Sequence, residues 1–161
     1  MGSTSPVGSP SITIDVDDRQ QAHPVATEKL AALLNATISA QHLAMQIPAG
    51  DVEVGLAFID IAEMTNLNVA HMNGTGPTDV LAFPIDGVAP RSVPGDQPRL
   101  LGDIVVCPEV AAAAPQSLAD ELALLVVHGA LHLLGHDHAE PEETATMKAL
   151  EVEMLERFHA Q

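Results

Sequence analysis

Three histidines in the order H-x3-H-x5-H, His128, His132 and His138, are the residues of this sequence best placed to do chemistry. On a helix, side chains four apart lie one above the other, so His128 and His132 project from one face. Gly135 stands three residues after the second histidine and can take the left-handed conformation that ends a helix and turns the chain back. His138 then returns toward the first two rings. Three neutral imidazoles converging on one point suit a zinc ion with its fourth position open to substrate. Nickel or another late divalent ion would accept the same donors.

The spacing is that of metzincin proteases, in which a glutamate directly after the first histidine acts as general base. Here that position is Gly129, so metal geometry is expected without that base. His136 and His138 are two residues apart and either could supply the third ligand; the metzincin spacing selects His138 and leaves His136 as an outer or substrate-side group. Asp137 is a candidate to orient a ligating imidazole through its free ring N–H. Glu121, seven residues before His128 and on the same helical face, is another. The same acids read equally well as a helix cap or a solvated charge. His23, His42, His71 and His159 have no ligand-like spacing and are expected to be structural or solvent-facing.

Positioning these groups requires a scaffold, and the apolar periodicity describes one. Ile12, Ile14 and Val16 alternate as a half-buried strand, and Val52, Val54, Leu56 and Phe58 do the same. Apolar residues recur at helical spacing from about Val25 to Met45 and again from Ile61 to Met72. Thr78–Phe83 and Asp103–Cys107 read as two more strands, separated by a loop with four prolines and two glycines between Pro84 and Pro98. A short helix at Pro108–Ala114 leads to Ser117, which caps a long helix carrying the histidines and ending at Gly135. Pro141 opens the last helix. Strands and helices mingle without regular βαβ alternation. The expected class is α+β, a mixed four-stranded sheet packed with about five helices, the metal site on a helix of the C-terminal half.

The chain of 161 residues fits a single domain from residue 11 to 161 behind a flexible tail of residues 1–10. Its core must be aliphatic, since hydrophobic residues make up 47% of the chain and aromatics only 2%. One cysteine, Cys107, rules out an internal disulfide framework and fits a reducing compartment. No apolar run approaches the ~20 residues of a membrane helix, and a cytoplasmic location is expected. The net charge of −16, with six basic residues, gives no basic footprint for nucleic acid; it favours basic protein partners or is a solubility feature alone.

Against that electrostatic balance stands a resemblance. His128-Gly-Ala-Leu-His-Leu-Leu-Gly-His-Asp-His138 resembles the signature of the YbeY endoribonucleases, bacterial factors of ribosomal RNA maturation and ribosome quality control. Gly76-Pro-Thr-Asp-Val-Leu-Ala-Phe-Pro84, Leu101-Gly-Asp-Ile-Val-Val-Cys-Pro-Glu-Val110 and Leu67-Asn68 agree in order and separation. The resemblance implies one zinc held by His128, His132 and His138. It also implies cleavage of single-stranded RNA near the 3′ end of the small-subunit ribosomal RNA. Many members of the family carry an arginine where this chain has Met72. Either Arg91 or Arg99 of the proline-rich loop then replaces it as phosphate contact, or the metal chiefly stabilises the scissile phosphate, or catalysis is weak. RNA access is expected to lean on basic ribosomal proteins or on another partner that presents the substrate. Two other readings compete: a ribosome-associated binding factor with a structural zinc, and a metal-dependent hydrolase of another substrate.

Overall fold

Branched apolar residues at every second position set the sheet, and a computed structural model shows how it is covered. Residues 11–45, 47, 50–72, 74–88, 97–137 and 139–159 are described. The elements run β1 (Ser11–Asp18), α1 (Thr27–Ala44), β2 (Asp51–Phe58), α2 (Ile61–Met72), β3 (Val80–Pro84), β4 (Arg99–Val106), α3 (Pro108–Ala111), α4 (Leu118–Leu133) and α5 (Pro141–Phe158). The strand order is β1-β2-β4-β3. β1 and β4 both pair parallel with β2, and β3 closes the sheet antiparallel to β4. Among the described residues the fold is α+β, a mixed four-stranded sheet with five helices, in keeping with the expected class.

Alternation assigns the two faces. Val52, Val54, Leu56 and Phe58 of β2 point to one side and meet Leu34 and Ile38 of α1, Val126, Val127 and Leu131 of α4, and Met147 and Met154 of α5 in one core. A smaller cluster on the opposite side joins Val105, Leu81 and Cys107 to Ile59 and to Met64 of α2. Ser117 caps α4 as expected, its hydroxyl accepting from the Asp120 amide at 3.2 Å. Among the described residues no helix is long and apolar enough to cross a membrane.

β4 departs most from its expected bounds. It starts at Arg99 instead of Asp103, because Pro98 and Gly102 read as loop residues in the sequence while the chain is already in the ladder. Glu53 pairs with Leu100 but Val54 with Gly102, so Leu101 is the extra residue of a β-bulge. That extra residue turns Leu101 into the main core, fully buried.

His42, on α1, is also buried, with its ring Nδ1 3.2 Å from the Ile38 carbonyl. Burial pushes its imidazole below the ordinary value of 6.5, partly offset by that carbonyl. A histidine harder to protonate when folded costs stability in acid: above about pH 6.5 both states are neutral, and below it the unfolded chain gains protons that the native one refuses. Urea midpoints are therefore expected to fall as pH drops from 7 toward 5. His42→Leu should flatten that part of the profile, and an unchanged slope in the variant would remove His42 as its source.

Candidate metal centre

α4 is apolar on the side that meets the sheet and bears His128 and His132 near its C-terminal end, both partly exposed. Their ring centroids are 4.7 Å apart with planes inclined by 73°. The sequence spacing thus brings the two imidazoles together as expected. Gly129 between them faces inward. A Cβ there would lie 2.7 Å from Cγ2 of Ile104, closer than packed atoms allow. Glycine lets the helix sit tightly on β4, and no glutamate fits where the proteases keep their base.

The turn after α4 has the geometry that its sequence suggests. Gly135 has φ of +98°, its amide donates to the His132 carbonyl at 3.0 Å, and the His136 amide donates to Leu131 at 3.0 Å. These two bonds make a Schellman motif, which satisfies the last carbonyls and redirects the chain. His138 lies outside the described residues. Among those described, no group of three His, Cys, Asp or Glu side chains converges to hold a metal. The donors on view nevertheless fit zinc: two adjacent imidazoles, one of them backed by a carboxylate.

That carboxylate is Glu151 on α5, whose Oε2 lies 2.5 Å from Nδ1 of His128. The sequence offered Glu121 and Asp137 for such a role, with no local signal for Glu151. The Glu121 carboxylate instead accepts from Gln116 at 2.8 Å. Seven residues of helix rise about 10 Å, too far for Glu121 to reach the His128 ring from the first turn. Asp137 is exposed beside His136. Among the described residues the His136 Nε2 is shielded and has no hydrogen-bond partner, and burial holds the ring below the usual histidine range. Both line a cavity of about 290 Å³ with Glu142, Glu143 and Thr146.

Of the phosphate-contact candidates, Arg99 donates from Nη1 to the Gly87 carbonyl at 2.8 Å, tying the loop after β3 to β4. Arg91 lies outside the described residues. Asn68 donates to the Gly76 carbonyl at 3.0 Å, which explains a polar residue at that position: it holds the turn before β3. The four remaining histidines are structural or at the surface. His23 meets Gln20 through its backbone, His71 packs edge-on to Phe83 at 5.7 Å, and His159 contacts Asp120 at 2.8 Å. Across the sheet from α4, a cavity of about 450 Å³ opens beside α2. Among the described residues its lining includes the acids Asp15, Asp17, Glu63 and Asp103, together with Arg19 and His71.

The profile of the family described as Endoribonuclease YbeY matches residues 15–159 of this sequence. The chain belongs to the YbeY family. A protein of Salinispora tropica named Endoribonuclease YbeY is 53% identical, the match covering 64% of this chain and 72% of the relative. One of Mycobacterium tuberculosis with the same name is 48% identical over 67% of this chain and 65% of its own length. The chain therefore spans slightly less than two thirds of that mycobacterial YbeY. The solution structure of TM1509 from Thermotoga maritima aligns with a TM-score of 0.53 over 92% of this chain and 93% of that one, at 23% identity. That likeness shows the fold. The match to YbeY spans every block that carried the resemblance, from Leu67-Asn68 to the histidines.

Proposed function

We propose that this chain is a zinc-dependent endoribonuclease that cleaves single-stranded RNA, acting at the 3′ end of the small-subunit ribosomal RNA and in ribosome quality control. The observation that carries the reading is the His128–His132 pair at the end of α4, in a chain that matches the YbeY family over residues 15–159. His128, His132 and His138 would hold the ion, and zinc bound there would supply Lewis acidity toward a phosphoryl oxygen. The protein's part is to aim these imidazoles and to end the helix at Gly135, where the chain turns toward His138. Gly129 weighs against the peptidase alternative, since its place is filled by the contact with Ile104.

With a net charge of −16, the surface does not attract RNA by itself. The acidic lining of the cavity beside α2 supports basic ribosomal proteins as the partners that present the substrate. A cytoplasmic setting completes the reading and suits the buried free thiol of Cys107. Metal removal tests the whole proposal. Elemental analysis should find zinc in the purified protein, and chelation should lower cleavage of a single-stranded RNA by more than about 100-fold, restored on adding zinc. Metal-stripped protein that cuts RNA at the untreated rate would sink the reading.

A further inference from the structure

Glu151 of α5 reaches the candidate centre, with its carboxylate on the His128 ring. Glu142, Glu143, Glu153 and Glu156 are exposed, whereas Glu151 is turned toward α4 and only 13% of its side chain is accessible. Met147 and Met154 explain this. They lie four residues before it and three after, and both are buried in the main core. The spacing puts all three on one helical stripe, so the packing that docks α5 also aims the carboxylate. The target is Nδ1 of His128, at 2.5 Å.

We propose that Glu151 is a positioning residue for metal binding: its carboxylate accepts the Nδ1 proton of His128, fixes that tautomer and the ring angle, and leaves Nε2 as the basic nitrogen for the ion. The inference rests on the zinc reading above and extends it to a helix that carries none of the three histidines. Mere bracing of α5 against α4 is a separable role, because the His159–Asp120 contact at 2.8 Å ties the same two helices elsewhere.

The experiment compares zinc affinity, by competition with a chromophoric chelator, in wild type, Glu151→Leu, Glu151→Gln and Asp120→Asn. The ring tautomer of His128 is read by nitrogen NMR on the metal-free proteins. Leucine keeps the packing and removes the acceptor, so Glu151→Leu should bind zinc about 10- to 100-fold more weakly and lose the Nδ1–H signature. Glutamine keeps an acceptor oxygen and should restore most of the affinity and the signature. Asp120→Asn should leave both unchanged while weakening the brace. A Glu151→Leu protein with wild-type affinity and tautomer overturns the positioning role alone. Wild-type protein that binds no zinc overturns the metal reading on which it rests.

Discussion

Purified His128→Ala protein is expected to bind zinc more than about 100-fold more weakly than wild type and to lose RNA cleavage by at least that factor. Outer partners of metal ligands are already worth about 10- to 100-fold, and loss of a donor atom exceeds loss of its support. The two described imidazoles are adjacent on one helical face, so His132 alone cannot keep the geometry that the pair provides. The substitution also leaves Glu151, 13% exposed, without this partner between α4 and α5. That costs about 1–3 kcal/mol, or roughly 2–12 °C in melting temperature for a domain of this size. A folded His128→Ala protein that retains both zinc and activity would place the chemistry elsewhere in the chain.

Gly102→Ala should be the most damaging small substitution in the sheet. Gly102 has φ of +152°, a backbone conformation that side chains rarely adopt, and it follows the bulged Leu101 in β4. An added Cβ would run into the backbone oxygen of Phe83, lie 2.9 Å from Cα of Pro84, and lie 2.7 Å from Cδ2 of Leu133. Two of these three neighbours are backbone atoms of the paired strand and cannot rotate away. The third belongs to the last residue of α4, one position after His132. Overpacking and strain of this kind each cost about 1–3 kcal/mol, and here they add. We expect a loss of about 3 kcal/mol or more and a melting temperature lower by roughly 6–12 °C. A variant melting within about 2 °C of wild type would show that the bulge can absorb the methyl group.

Local patterns made most of the fold legible. Alternation placed β1 and β2, helical periodicity placed α1 and α2, and Ser117 and Gly135 marked the ends of α4. The histidine pair followed from i, i+4 spacing alone. What escaped was long-range. Glu151 is 23 residues from His128 and meets it only because α5 folds back along α4, a relation with no local periodicity. β4 was read too short for a related reason: glycine at a bulge is indistinguishable from glycine in a loop until the partner strand is known. Gly129 was legible as a missing base, but its positive role needed Ile104 from another element. Glu121 shows the opposite error, in which a shared helical face was taken for proximity across two turns.

The sheet order also bears on how copies of this protein behave toward one another. β1 is an outer strand, paired along one side with β2 and, among the described residues, with no strand on the other. Such an edge is a template for strand addition and hence for aggregation. Asp15, Asp17 and Asp18 crowd its C-terminal half, so two copies meeting edge to edge would bring like charges together. The acidity that leaves the composition without a basic footprint for RNA is, at this strand, a guard against self-association.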